Sequence, residues 1–372
     1  MRFAFCLFKY FPFGGLQRSF LQVGKACLDR GHQVDVYTTS WQGDIPQEMA
    51  VSIVPVRGLA NHRRYESFAR RLTKSLASKQ YDAVVGFNKM PGLDVYFASD
   101  PCFAAKAQER TFFYRLTGRC RSLLRLEAAV FGATSKTEIL LISEQEKPFF
   151  MDHYGTATER FHLLPPGIAK DRLAPRIGED LGGELRRELG IGSDQPIVLM
   201  VGSGFKTKGV DRAILALSSL PHGLREKTTL LIVGEDKTKP FLRLAKRCGV
   251  AQMVRFVGGR DDVPRFLFAA DLLLHPAYRE NTGTVLIEAM AAGLPVLVTD
   301  VCGYSYHIER AGAGELVPSP FRQETLNQLL ASMLTSQDKR QWRQNGKDYV
   351  ARTDVFSRAE KAADIIEQVA AC

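Results

Sequence analysis

Short apolar runs rich in β-branched and aromatic residues alternate with stretches of helical period from the N-terminus to about residue 320. That alternation predicts repeated βα units and parallel sheets. Strands are expected near residues 2–8, 33–38, 51–56, 82–87, 138–142 and 161–164, and again near 197–201, 229–233, 254–257, 271–274, 295–299 and 314–317. Beyond residue 322 the pattern is helical only, and proline is absent after Pro320.

A chain of 372 residues with 45% hydrophobic content exceeds the roughly 250–300 residues at which a single core stops growing. Two domains are therefore expected. The change falls at Pro165-Pro166-Gly167, where proline removes a donor and restricts its predecessor while glycine loosens the backbone. The polar stretch from Lys170 to Gly183 extends this linker. Residues 1–166 and 167–354 are the two expected domains.

Charge changes the picture unevenly along the chain. Residues 1–170 hold 23 Lys and Arg against 15 Asp and Glu, so +8 of the net +10 lies in the first half. Two stretches concentrate it, Arg63 to Lys79 and Lys106 to Arg125, each with six basic residues and one acidic. A nucleic-acid groove, an anionic membrane and an anionic substrate all suit such a surface. Few aromatics lie among these basic stretches apart from Phe112-Phe113-Tyr114, which does not resemble a base-stacking platform, so nucleic acid is disfavoured. The seven scattered cysteines form no C-x-x-C pair, which argues against a disulfide framework and a structural zinc site and for a reducing compartment. The apolar run Phe3 to Phe8 is too short for a signal-peptide core, and no run of about 18 apolar residues occurs. The expected location is cytoplasmic.

Glu280 and Glu288 carry the most chemical information. Glu280 sits in a polar loop after an apolar strand, and Glu288 lies about one turn inside the helix that follows. Between them is a helix N-terminus at Gly283, Thr284 and Val285, whose unpaired N–H groups and dipole favour a phosphate. A carboxylate on each side of a phosphate site suits a ligand with a sugar at each end of a diphosphate, a nucleotide sugar. Elsewhere Gly14-Gly15 opens a helix after the first strand, and Val201-Gly202-Ser203-Gly204-Phe205-Lys206-Thr207-Lys208-Gly209 follows the strand that opens the second half. The latter has the wrong spacing for a dinucleotide fingerprint, and the nearest acidic pair, Glu235-Asp236, comes too late, which disfavours a nicotinamide-dependent oxidoreductase. No D-x-D ends a strand and the histidines are dispersed, so no metal is expected.

The pair Glu280 and Glu288 is the E-x7-E arrangement of retaining glycosyltransferases of the GT-B fold. The segments Lys9 to Arg18 and Gly86 to Ala98, with Leu164-Pro165-Pro166-Gly167-Ile168 and His275-Pro276-Ala277-Tyr278, resemble the WaaG-type lipopolysaccharide core glycosyltransferases over almost the whole chain. The resemblance implies an α/β protein of GT-B class, two Rossmann-like domains with parallel sheets facing a cleft. The first would bind the acceptor, the second the nucleotide sugar, and a last helix, residues 355–372, would return to the first. It also implies retaining transfer of a hexose, glucose by default, from a UDP-sugar to a heptose of the lipopolysaccharide inner core, with no cofactor and no metal.

Residue by residue, the resemblance puts sugar hydroxyls on Glu280 and the ribose on Glu288. Gly14 and Gly15 belong to the loop that closes over the donor, and Lys208 meets the diphosphate. Family members often carry Arg immediately before that lysine; here stand Thr207 and, one step earlier, Lys206. Arg172, Ser203, Arg260, Asn281, Thr282, Gly283, Thr284 and Val285 complete the expected donor site, with Arg260 in the loop that receives the uracil. Asn281 and Thr282 replace smaller family side chains, which leaves a UDP-N-acetylhexosamine donor as an alternative. Asp100 is the second catalytic candidate, bound to a sugar hydroxyl or capping the next segment.

From Arg110 to Glu127 a single helix would place Phe113, Leu116, Cys120, Leu123 and Leu124 on one face, flanked by Arg115, Arg119, Arg121 and Arg125. That is the pattern of an in-plane membrane helix, and equally of a helix docked on a core with snorkelling arginines. An acceptor held in the inner membrane favours the first, a peripheral protein on the inner face of the anionic inner membrane.

Overall fold

The computed structural model describes every residue except Phe13, Ser78, residues 169–179 and Cys372. The chain divides into two compact units, Met1–Gly167 with Ser357–Cys372, and Ile168–Phe356.

In the first unit seven strands form one sheet: β1 (Arg2–Leu7), β2 (Gln33–Thr38), β3 (Met49–Ile53), β4 (Ala83–Gly86), β5 (Val95–Ala98), β6 (Glu138–Leu141) and β7 (Phe161–Leu163). Their order is β3-β2-β1-β4-β5-β6-β7, every pairing parallel. Strand β5 was not among the expected ones. It is four residues long, and only the loop of residues 87–94 separates it from β4, so the alternation of strand and helix that reveals the others skips it. In the second unit β8 (Ile197–Val201), β9 (Thr229–Val233), β10 (Val254–Phe256), β11 (Leu272–His275), β12 (Val296–Thr299) and β13 (Gly314–Val317) are ordered β10-β9-β8-β11-β12-β13, again all parallel.

Parallel sheets need cover on both faces, because their crossover helices lie there. In the first unit Phe5, Val36, Val85 and Phe97 pack with Phe20 of helix Gly15–Asp29 and Ile366 of helix Arg358–Ala370. The alternate strand positions Ala4, Cys6, Tyr96 and Ile139 pack on Phe68 of helix Asn61–Leu76 and Leu126 and Val130 of helix Gly118–Phe131. The C-terminal helix is pinned to the first unit by ion pairs from Arg30 to Asp364 (2.8 Å) and Glu367 (3.0 Å) and by His32 to Glu367 (2.6 Å). In the second unit Leu199, Leu231, Leu273 and Val298 face one core, while Val198, Met200 and Leu274 face the other.

Each sheet order reverses direction once, between β1 and β4 in the first unit and between β8 and β11 in the second. Loops leaving the carboxyl ends of those adjacent strands diverge to opposite sides, and the crevice between them is where doubly wound sheets bind ligands.

The expected continuous helix from Arg110 to Glu127 is broken. Helix Phe103–Gln108 ends before it, a short turn occupies Phe112–Arg115, and Gly118–Phe131 begins anew. Thr117 caps the new start by accepting from Cys120 N (3.2 Å), and Arg121 donates to Leu116 O (2.7 Å). A threonine cap three residues ahead of a free N–H competes with helix continuation. The expected common apolar face therefore does not exist: Cys120 is buried, Leu123 and Leu124 are half-buried, and Phe113 and Leu116 are exposed.

Candidate functional site

The loop after β8 and the loop after β11 meet because their strands are neighbours. Tyr278 N donates to Thr207 O (2.8 Å), and Gly209, at φ 78°, lies so close that a Cβ there would overlap Pro276 O. Only glycine satisfies both the left-handed backbone and that approach. This contact sets Lys208 against Glu280 as a direct ion pair. The histidine that ends β11, His275, is fully buried with Nε2 3.4 Å from the Glu280 carboxylate.

Burial pulls the Lys208 ammonium down from the ordinary lysine range, while the carboxylate in contact with it favours the charged form. Burial, with Lys208 nearby, pushes His275 down to about 3. Its imidazole is neutral at neutral pH. A cation, a carboxylate and a neutral ring thus converge just ahead of helix Thr284–Ala291, which Gly283 opens at φ 85°.

Of the other expected donor residues, those that follow Glu280 along the chain lie beside this centre, and the rest belong to other loops of the two units. Asn281 and Thr282 are half-buried beside Glu280, and Thr282 O accepts from Tyr304 N (2.8 Å). Thr284 and Val285 form the first turn of the helix, and Glu288 lies half-buried one turn further on. Ser203 is exposed, its Oγ accepting from Glu235 N (3.1 Å). Lys206 does not join Lys208: it pairs with Asp211 (2.5 Å) and Tyr278 OH (3.1 Å). Arg260 is held by both oxygens of Asp262 at 2.8 Å. In the first unit Gly14 precedes helix Gly15–Asp29 in an extended conformation, and Gly15 has open space where a side chain would stand. Arg172 lies outside the described residues.

A second concave site occupies the reversal point of the first unit. Phe8 N donates to Asn88 Oδ1 (2.7 Å), joining the loops after β1 and β4. A cavity of about 280 Å³ opens there, lined among others by Tyr65, Asn88, Lys89, Asp100, Lys106 and Leu123. Tyr65 stacks flat on Phe8 with ring centroids 4.0 Å apart. Asp100 is exposed at its rim. Behind it Glu127, wholly buried, accepts from Lys89, Phe103 N (2.8 Å), Ala104 N (2.8 Å) and Tyr154 OH (2.7 Å).

Sequence reasoning did not assign His275 or the pair Lys89 and Glu127. A histidine closing an otherwise apolar strand was the available signal for the first. Nothing local announces the second, whose members are 38 residues apart.

His275 and His307 give the second unit a pH signature. His307 is buried with Nδ1 2.7 Å from Tyr349 OH, and burial, with Arg310 nearby, pushes it down to about 4. Both values lie below the unfolded value near 6.5, so below that pH the unfolded chain binds more protons and stability falls toward the folded values. Each histidine is expected to remove about 1.4 kcal/mol per pH unit below pH 6. Urea unfolding of the second unit between pH 7 and 4.5 reads this, and His307→Gln should reduce the slope. A profile unchanged by that substitution would contradict it.

The chain matches the family model for glycosyl transferases group 1 over residues 183–349 and that for glycosyltransferase family 4 over residues 13–172. It is 47% identical over 365 residues to the lipopolysaccharide glucosyltransferase WaaG of Escherichia coli (strain K12), covering 98% of both chains. The crystal structure of WaaG, a glycosyltransferase involved in lipopolysaccharide biosynthesis, superposes with a TM-score of 0.93 over 98% of this chain and 99% of that one. Anabaena Alr3699/HepE in complex with UDP-glucose shares the fold at 19% identity, with a TM-score of 0.76 over 99% of this chain and all of that one. With two all-parallel doubly wound sheets and near-complete coverage at this identity, the chain belongs to the WaaG family of GT-B glycosyltransferases.

Proposed function

We propose that this chain is a retaining glycosyltransferase that moves a hexose, glucose by default, from a UDP-sugar to a heptose of the lipopolysaccharide inner core. The observation that carries the reading is the Lys208–Glu280 pair ahead of helix Thr284–Ala291. One donor molecule can meet both members: the diphosphate on Lys208 and the helix N–H groups, the hexose hydroxyls on Glu280, the ribose on Glu288. These groups stabilise the leaving diphosphate without a metal ion. As the bond from the anomeric carbon to the phosphate oxygen breaks, that oxygen takes the proton of the acceptor hydroxyl. The new glycosidic bond forms on the same face, so configuration is kept.

The second unit is the donor domain in this reading and the first holds the acceptor. The cavity bordered by Tyr65, Lys106 and Asp100 supplies an aromatic face, a cation and a carboxylate for a phosphorylated sugar. No helix among the described residues is long and apolar enough to cross a membrane. The exposed Phe112, Phe113 and Leu116, with exposed Arg110, Arg115, Arg119, Arg121 and Arg125 around them, suit a peripheral contact with an anionic bilayer on the cytoplasmic side of the inner membrane. The half-buried Asn281 and Thr282 beside Glu280 support a second reading of the donor, a UDP-N-acetylhexosamine whose amide they would bind.

Turnover of UDP-glucose, UDP-GlcNAc and UDP-GalNAc against a heptose-terminated acceptor tests the reading. Glucose transfer with retained configuration is expected; transfer from none of them refutes it, and preference for an N-acetylated donor selects the second reading.

A further inference from the structure

Two helices of the first unit run side by side in the same direction. A Cβ on Gly118 would lie 4.0 Å from His62 Nε2, and four residues further along both helices Ser122 Oγ donates to Glu66 (2.7 Å). Arg125 reaches the same carboxylate at 3.3 Å. Helices Asn61–Leu76 and Gly118–Phe131 therefore begin at the same end of the unit, and the segments leading into them emerge together.

Both segments present apolar side chains to solvent. Leu59 stands two residues ahead of its helix and is fully exposed, at 106%. Leu116 stands two residues ahead of the other and is 50% exposed, with Phe112 at 62% and Phe113 at 80%. Burying such side chains away from water is favourable in proportion to their apolar area, so four at one end form a distinct apolar tip. Cations surround it on both segments. Arg57 and Arg63 are exposed beside Leu59, with no acidic residue between Glu48 and Glu66. Arg115, Arg119 and Arg121 are exposed beside Leu116, with no acidic residue between Glu109 and Glu127. Exposed Arg70 and Lys74 continue the charge along the first helix.

We infer that the segment of residues 56–60 is a second membrane-inserting element, with Leu59 entering an anionic bilayer beside Phe112, Phe113 and Leu116. The inference rests on the membrane contact proposed above and extends it to a part of the chain about fifty residues earlier. Aliphatic and aromatic tips ringed by arginine suit the interface of a bilayer, where apolar groups enter the acyl boundary and guanidinium groups remain at the anionic headgroups. Two anchored points also fix an orientation, which a single short turn leaves free to rotate. Exposed Arg57 and Arg63 thereby acquire a role as the headgroup-facing flank of the same contact.

The test uses the full chain and vesicles of phosphatidylcholine with and without phosphatidylglycerol, in co-sedimentation at low and high salt. Leu59→Asp and Phe113→Asp are each expected to weaken binding to anionic vesicles by about tenfold or more. Leu59→Trp should retain binding and add fluorescence that brominated acyl chains quench beyond the signal of Trp41 and Trp342. UDP affinity, measured in parallel, should not change in any variant, because Leu59 and Phe113 belong to the first unit, whereas Lys208 and Glu288, the residues proposed to hold the nucleotide, belong to the second. If Phe113→Asp loses binding while Leu59→Asp binds like wild type and Leu59→Trp is not quenched, the segment faces water. That outcome overturns the inference and leaves the membrane contact standing. If no variant differs from wild type, the membrane contact itself fails and the inference falls with it.

Discussion

Glu280→Ala is expected to lower sugar transfer by about 100- to 1000-fold, the scale seen when one group that stabilises the reacting centre is removed. UDP affinity should survive. The carboxylate is in direct contact with Lys208, so its removal leaves a largely buried ammonium without its anion, and the unliganded protein loses stability. A bound diphosphate restores an anion at that place. UDP should therefore raise the melting temperature of the variant more than that of the wild type. Calorimetry with UDP and single-turnover rates with UDP-glucose separate the effects. A parallel loss of UDP affinity and turnover would move Glu280 from the hexose to the nucleotide.

Glu127→Ala is expected to cost the first unit about 3–5 kcal/mol, the range for breaking a buried ion pair by removing one partner. The Glu127 side chain is completely buried, and Lys89 opposite it is nearly so. Two backbone N–H groups at the start of helix Phe103–Gln108 and the Tyr154 hydroxyl lose their acceptor at the same time. Contact with Glu127 pushes the Tyr154 phenol, already raised by burial, above its ordinary range. Glu127→Gln keeps an acceptor oxygen and should cost less. Urea unfolding followed by near-ultraviolet circular dichroism reads the loss. Because Lys89, Pro101 and Phe103 wall the cavity of the first unit, acceptor turnover should fall while UDP binding in the second unit is kept. A cost below about 1 kcal/mol would mean that Lys89 and the helix start find other partners.

Much of this was legible before any fold was known. Twelve of the thirteen strands among the described residues follow from apolar runs set between helical stretches, since burial on both faces of a parallel sheet demands such runs. β5 escaped because no helix precedes it. The carboxylate pair and the helix start between them were also readable, because a helix N-terminus has local chemistry that a glycine and a change of period announce. The broken helix before Gly118 was misread for the converse reason. Helical period sees spacing, whereas the cap made by Thr117 Oγ and the arginine bond to Leu116 O are contacts of geometry.

The sequence by itself determined the βα order, the two halves, the basic first half and the carboxylate pair, all of which rest on periodicity, composition and neighbours along the chain. The tertiary structure decided which of these meet. Lys208 and Glu280 are 72 residues apart and in contact only because β8 and β11 are adjacent where the strand order reverses. Lys206, two residues from Lys208, is drawn instead to Asp211 and Tyr278. Likewise Lys89 finds Glu127, and Leu59 comes to stand at the same end as Leu116, through the packing of helices that no local pattern pairs. Contacts between distant segments are set by sheet order and helix packing, which depend on the whole chain burying its apolar surface at once.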